Sequence, residues 1–167
     1  MRVLGIDCGG LYTGFGVVEQ SASGELVCLE MGAIHLSQRD RLERRLGRIF
    51  DELTAVIRRH TPDVVAIEDV FHAANSKTAL KLGHVRGVAM LSAAQCGLEV
   101  VAYAPLTVKS AVVGYGRAEK PQVQMMVARL LKLPCLPEPA DAADALAIAI
   151  CHLHTAATLS KHAVAAH

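Results

Sequence analysis

The sequence predicts an α/β fold in which a five-stranded mixed sheet carries helices on both faces. Three short apolar segments joined by short turns come first, at residues 2–7, 13–19 and 25–35, and favour an antiparallel meander. Helical segments then alternate with two further apolar strands, which is typical of parallel crossovers. Apolar residues make up 52% of the 167-residue chain, enough to build the core of one domain.

The first helix is predicted over residues 37–60, because apolar and arginine side chains fall on opposite faces at helical spacing. A Thr-Pro pair ends it. The apolar run at residues 63–68 predicts a fourth, buried strand that ends at Glu68. A second helix is predicted from Ser76, a favourable N-cap residue, to Gly97, which suits the position after a helix end.

The remainder of the chain predicts one more strand and three helices. Residues 98–104 form the fifth strand, and a short helix follows it. Pro121 suits the first turn of the next helix, which continues to about residue 132. The last helix is predicted over residues 140–155. Residues 156–167 are Ala-rich and poorly patterned, so we expect a single domain at residues 1–155 with a frayed tail.

No segment of the sequence predicts a membrane span or a signal peptide. Charged residues interrupt the apolar stretches before they reach the roughly 18 residues that a span requires, and the N-terminal residues have the pattern of a strand. The five cysteines are odd in number and form no CxxC motif, which favours free thiols in a reducing compartment. We therefore expect a cytoplasmic protein.

The charges are distributed unevenly although the net charge is only +1. Residues 77–132 carry eight basic and two acidic side chains, whereas residues 1–76 carry eight basic and eleven acidic ones. Such a basic block indicates a face that binds a polyanion beside an acidic site. Solvated helix faces would produce the same pattern, so the charges alone leave both interpretations open.

Four acidic residues stand where a catalytic site would form. Asp7 closes the first predicted strand, and Glu68 closes the fourth. Strands one and four can lie side by side in this topology, which would bring both side chains together. Asp141 and Asp144 lie three residues apart at the start of the last helix and therefore project from the same side. That helix could present its acidic first turn to Asp7 and Glu68.

Clustered carboxylates repel one another, which costs stability unless cations lie between them. Hard oxygen ligands favour Mg²⁺ or Mn²⁺ over zinc. Two such ions, about 4 Å apart, would bind the attacking water and the leaving 3′-oxygen of a phosphodiester. A structural role is also open: Asp141 could cap the helix, Asp144 could balance its dipole, and the strand-end acids could face solvent.

Seven segments, in order from residue 1 to about residue 154, carry a recognisable family pattern. The most specific is Asp141-Ala142-Ala143-Asp144-Ala145-Leu146-Ala147-Ile148-Ala149. The others are Gly5-Ile6-Asp7, Ile67-Glu68-Asp69-Val70-Phe71, Ala79-Leu80-Lys81-Leu82-Gly83, Arg86-Gly87-Val88-Ala89, Ala118-Glu119-Lys120 and Leu130-Leu131-Lys132-Leu133. Together these segments resemble the RuvC family of Holliday junction resolvases.

The resemblance implies a ribonuclease-H-like fold and assigns catalysis and metal binding to Asp7, Glu68, Asp141 and Asp144. It implies a homodimer that nicks two strands of like polarity at a four-way DNA junction, with two Mg²⁺ ions per subunit or Mn²⁺ in their place. It also implies work in DNA recombination and repair beside the RuvA–RuvB branch-migration complex, and a preference for certain short sequences.

The resemblance assigns DNA contacts to three further residues. Phe71 matches an aromatic that stacks on an unpaired base, although a core anchor would also explain it. Lys109 and Lys120 match lysines that contact phosphates near the scissile bond, although loop lysines are usually only solvated. Cys8 departs from the pattern, because the family commonly has proline there, and we do not expect it to bind metal.

Several features keep alternatives open. Gly83 and Gly87 could allow close helix packing within the subunit or form part of a dimer interface. His152 and His154 point in different directions on one helix and are not expected to bind metal. The turn after Asp7 is similar to the phosphate-binding turn of sugar kinases, but one domain of 167 residues cannot enclose ATP as their two domains do. A non-catalytic junction-binding protein would not need all four acids.

Overall fold

A computed structural model describes residues 1–69 and 75–165, with side chains as far as Leu159. Its strands are β1 Arg2–Cys8, β2 Tyr12–Gln20, β3 Leu26–His35, β4 Val64–Glu68 and β5 Val100–Tyr103. These five strands form one sheet in the order β3-β2-β1-β4-β5. The β1–β2 and β2–β3 pairs are antiparallel, whereas the β1–β4 and β4–β5 pairs are parallel. The predicted meander and mixed sheet are therefore confirmed.

The described residues form five helices, and their bounds differ from the predicted ones at several ends. The first helix begins later than predicted, because the Ser37 hydroxyl accepts a hydrogen bond from the Arg39 N–H and holds a local turn there. Asn75, not Ser76, caps the second helix and accepts from the Thr78 N–H at 2.9 Å. The helices are α1 Leu42–His60, α2 Ser76–Gln95, α3 Pro105–Val113, α4 Lys120–Leu130 and α5 Ala140–Ala165.

The last helix is ten residues longer than predicted. The end predicted near Thr155 is wrong, because α5 continues to Ala165 through a segment whose alanines favour helix despite its weak pattern. The Thr155 hydroxyl donates to the Cys151 carbonyl and so remains within the helical turn. The boundary of the domain at residue 155 stays a prediction.

Helices cover the two faces of the sheet and divide the core in two. On one face, α1 and α2 pack on alternate strand residues such as Leu4, Ile6 and Val65. On the other face, α3, α4 and α5 pack on the strand residues that alternate with these, including Val3 and Ala66. Strand side chains alternate between faces, so each strand residue has a defined side.

Helix α5 is long and apolar enough to cross a membrane by length and composition alone, over Ala140–Leu159. However, 61% of its apolar window is buried inside the fold. Ala142, Leu146 and Leu153 of this helix are fully buried, whereas Leu159 near its end is 65% exposed. The helix therefore serves as the core helix of this domain and not as a membrane span.

Candidate active site

Asp7 and Glu68 lie side by side on the face of the sheet that α5 covers. Ile6 pairs with Ile67 in the parallel β1–β4 ladder, and each acid comes directly after its member of that pair. Ile6 and Ile67 point toward α1 and α2. Because successive side chains alternate, Asp7 and Glu68 point toward α5. The adjacency predicted for these two acids is confirmed.

Glycines in the strands allow α5 to lie directly on the sheet. A Cβ atom at Gly14 would lie 2.0 Å from the Asp141 carbonyl oxygen, and one at Gly5 would lie 2.0 Å from the Ala145 carbonyl oxygen. A Cβ atom at Gly16 would clash with the side chain of Leu146. This close approach fixes the first turn of α5 above the ends of β1 and β4.

The resulting pocket has a volume of about 200 Å³ and mixes carboxylates with lysines and an apolar wall. Asp141 lies on the other side of the acidic turn, where it lines a second groove. The residues that line the pocket are Asp7, Glu68, Asp144, Lys109, Lys120, Pro105, Val108, Val123 and Ala147.

The acids form one electrostatic group. The pKa of Asp7 is raised to about 7, mainly by burial and then by the charges of Asp144, Glu68 and Asp141, against the opposing charge of Lys120. Burial and Asp144 also raise the pKa of Glu68, against the opposing charges of Lys109 and Lys120. The charges of the neighbouring acids thus add to burial in raising the pKa of Asp7 and of Glu68.

Lys120 offsets part of this negative charge. Its Nζ atom lies 2.6 Å from Asp144 Oδ2, and this hydrogen bond raises the pKa of Lys120. Lys109 lines the same pocket without a hydrogen bond or ion pair to any described residue. The two predicted lysines are thus at the acids, one paired and one available to an incoming anion.

The donor set fits a hard divalent cation. All candidate ligands are carboxylate oxygens, which suit Mg²⁺ and Mn²⁺, and a cation among them would favour the ionised form of Asp7. Among the described residues, no three His, Cys, Asp or Glu side chains are close enough together to hold a metal ion as they stand. Asp7, Glu68 and Asp144 line one pocket, and Asp144 is paired there with Lys120.

The other residues discussed in the sequence analysis lie outside the acidic pocket or outside the described residues. Cys8 is buried, and burial together with the Asp7 charge raises its pKa to about 12, so the thiol behaves as a core group. His152 Nδ1 lies 2.9 Å from the Tyr103 hydroxyl, and His154 Nδ1 lies 2.9 Å from the Ala111 carbonyl oxygen, so both histidines have partners elsewhere in the fold. Phe71 lies outside the described residues.

Gly83 and Gly87 do not pack against another helix of the same subunit. Nothing among the described residues would lie within 4 Å of a Cβ atom at either position. The interpretation that they allow close packing inside the subunit is therefore wrong. They lie on the exposed side of α2 with Leu80, Met90 and Leu91, which are 63%, 38% and 49% exposed.

Two parts of the site escaped sequence analysis. Gly14 and Gly16 allow the close approach of α5, and the only local signal for this role is that an isolated glycine inside a strand often marks a close backbone approach. Arg45 belongs to the acidic N-terminal part of the chain, yet its Nη2 donates to the Gly10 carbonyl in the turn after Asp7, at 2.6 Å. No local pattern signals that long-range contact.

Comparison with known proteins places the chain in a family. The sequence model of the family described as crossover junction endodeoxyribonuclease RuvC matches residues 3–152 of this chain. The chain is 70% identical over 161 residues to the crossover junction endodeoxyribonuclease RuvC of Koribacter versatilis, covering 96% of this chain and 97% of the relative. It is 54% identical over 165 residues to RuvC of Acidobacterium capsulatum, covering 95% and 96%.

Solved structures agree with this placement. Thermus thermophilus RuvC in complex with a Holliday junction substrate matches with a TM-score of 0.87 at 33% identity, covering 95% of this chain and 96% of that one. The yeast mitochondrial Holliday junction resolvase Ydc2 shares the fold, with a TM-score of 0.66 at 12% identity over 96% of this chain and 82% of that one. The predicted ribonuclease-H-like fold is thereby confirmed. The chain belongs to the RuvC family of crossover junction endodeoxyribonucleases, a family of metal-dependent nucleases.

Proposed function

We propose that the protein is a homodimer that resolves Holliday junctions by paired, symmetric nicks during recombination and DNA repair. The observation that carries this proposal is that Asp7, Glu68 and Asp144 line one pocket with two lysines, and that the charge of Asp141 also acts on Asp7. An acidic cluster supplies metal ligands, and adjacent cations supply contacts for a phosphodiester.

The acids would hold two Mg²⁺ ions per subunit, for which Mn²⁺ can substitute. Bound there, the ions would activate a water molecule and stabilise the leaving 3′-oxygen of the scissile phosphodiester. Asp7 and Glu68 offer their oxygens from rigid strands, and Asp141 and Asp144 offer theirs from the first turn of α5. Lys109, beside Glu68, neutralises phosphate charge, and the apolar wall of the pocket limits access of bulk water.

The substrate is proposed from the relatives and the chemistry together. The Thermus thermophilus relative binds a Holliday junction substrate, and Phe71 would stack on an unpaired base where the strands exchange. We expect the protein to act in the cytoplasm beside the RuvA–RuvB complex.

The homodimer is supported by the exposed side of α2. Leu80, Met90 and Leu91 form an apolar stripe there, and Gly83 and Gly87 leave open space between them. Small residues within an apolar stripe allow two helices to approach closely, and an exposed stripe of this kind is typical of an interface. Two copies that pair along α2 would present two active sites to one junction.

The direct test replaces each acid by its uncharged isostere. Asp7→Asn, Glu68→Gln, Asp141→Asn and Asp144→Asn should each abolish nicking of a synthetic four-way junction in Mg²⁺ and leave junction binding in EDTA intact. Asp63→Asn, an acid at the opposite end of β4, serves as the control. Full activity in any tetrad variant would remove that residue from the site.

A further inference from the structure

A second groove, of about 620 Å³, opens on the far side of Asp141. Its walls come from the turn after β1, which includes Gly10, and from the N-terminal parts of α1 and α2, which include Arg45 and Lys81. Asp141 lines this groove and also acts electrostatically on Asp7. The groove therefore begins where the acidic pocket ends.

The groove carries two cations for its single carboxylate. The described residues offer the Arg45 guanidinium one hydrogen-bond acceptor, the Gly10 carbonyl oxygen, although a guanidinium has five N–H donors. The Lys81 ammonium has no hydrogen bond or ion pair with any described residue. Both cations are thus available to an anion, and the anchor on Gly10 holds Arg45 in place without neutralising it.

We propose that this groove binds the phosphodiester backbone of the strand as it continues beyond the scissile phosphate, with Arg45 and Lys81 each contacting a phosphate. The inference rests on the proposed function, because the strand must enter the acidic pocket first. Continuity at Asp141 gives the strand its path, and the two cations give it charge complementarity. The exposed ring of Tyr12, whose centroid lies 4.9 Å from that of His35, provides an aromatic surface at the rim.

The test is the salt dependence of junction binding in EDTA. Each lost phosphate contact lowers the slope of log affinity against log salt concentration by about one. Lys81→Gln and Arg45→Gln should each show that loss. Arg45→Lys keeps the charge and should keep the slope, which separates phosphate contact from support of the turn at Gly10.

The control is Arg58→Gln. Arg58 lies on the same helix, 13 residues and roughly 20 Å from Arg45, and lines a different depression at the far end of α1. Its slope should equal that of the wild type. An equal loss of slope in Arg58→Gln would overturn the proposal, because the effect would then follow net charge and not the groove.

A second arm identifies the phosphates. Neutral methylphosphonates, placed singly along the nicked strand, should weaken wild-type binding at the position that Lys81 contacts and cause no further loss in Lys81→Gln. If the wild-type protein nicks the junction but the salt slopes of Lys81→Gln and Arg45→Gln equal that of the wild type, the proposal of DNA binding in this groove is wrong and the proposed function stands. Wild-type protein that binds the junction but never nicks it would overturn the proposed function.

Discussion

Lys120 Nζ lies 2.6 Å from Asp144 Oδ2, so a lysine of α4 occupies the acidic pocket as a counter-charge to the first turn of α5. The side chain of Lys120 is 56% exposed, whereas that of Asp144 is 28% exposed. The pair therefore joins a solvent-accessible cation to a half-buried acid. Because surface ion pairs are weak, a divalent cation that binds Asp144 can displace Lys120 at small cost and free it for a phosphate.

The two lysines of the pocket should consequently differ in how they respond to metal. In EDTA, Lys109→Ala should lower the salt slope of junction binding by about one, whereas Lys120→Ala should change it little because Asp144 holds that lysine. Ca²⁺ can replace Mg²⁺ to limit nicking during the measurement, and in Ca²⁺ the salt slope of both variants should be lower by about one. Unchanged slopes in both variants under both conditions would exclude phosphate contacts by these lysines.

The raised pKa of Asp7 predicts an unusual effect on stability. The folded protein holds a proton on Asp7 up to about pH 7, whereas the unfolded chain loses it near 3.8. The folded state thus binds more protons in this window, so stability in EDTA falls as the pH rises from about 4 to about 7. Asp7→Asn removes this penalty, and above pH 7 it should raise Tm by roughly 2–8 °C.

Thermal unfolding in EDTA and in Mg²⁺ measures this effect. The advantage of Asp7→Asn should vanish at about pH 4, where both side chains are neutral. Mg²⁺ should stabilise the wild type more than the variant, because binding to the folded state alone adds stability. An Asp7→Asn protein that is less stable than the wild type in EDTA above pH 7 would contradict the electrostatic account of the site.

The open face of α2 predicts where the dimer can be broken. Gly87→Arg should convert the dimer to a monomer in analytical ultracentrifugation and reduce paired nicking, because the new side chain would fill the space between the apolar residues. Gly47→Arg is the matched control, since Gly47 is also an open helical glycine but lies on α1. If the Gly87→Arg protein remains dimeric, the dimer interface does not lie on this side of α2.

Phe71 gives a prediction that depends on the junction and not on phosphates. Stacking of a base on an aromatic is worth roughly 1–3 kcal/mol, so Phe71→Ala should reduce junction cleavage about tenfold or more. Extra unpaired bases at the centre of the junction should restore part of the rate, because less unstacking is then required. Phe71→Leu that cleaves like the wild type would show that the residue is a packing anchor.

The fold was predictable where the spacing of apolar residues and the order of strands and helices along the sequence define it. The alternation in β1 and β2, the helical pattern of α1 and the order of the elements along the chain were sufficient to predict the mixed sheet. Element ends were less predictable because they depend on single hydrogen bonds, such as the Asn75 cap, or on alanine-rich segments with little periodicity, such as the end of α5.

The acidic site was predictable because strand-end acids and the i, i+3 pair each leave a local signal. Its supporting contacts were not. The approach of α5 onto Gly14 and the contact of Arg45 with Gly10 join segments far apart in sequence, and they exist only once the chain has folded. Cys8 is the last residue of β1 and pairs with Thr13, so the departure from the family pattern falls at the end of the strand, directly before the turn.

The most direct test of the account is end-mapping of nicks in a four-way junction labelled on each strand in turn, with Mg²⁺. We expect two nicks at symmetric positions in two strands of like polarity, none in a linear duplex of the same sequence, and none with EDTA or with Asp144→Asn. Nicks that fall equally on the linear duplex, or that persist in EDTA, would contradict a metal-dependent junction resolvase built on these four acids.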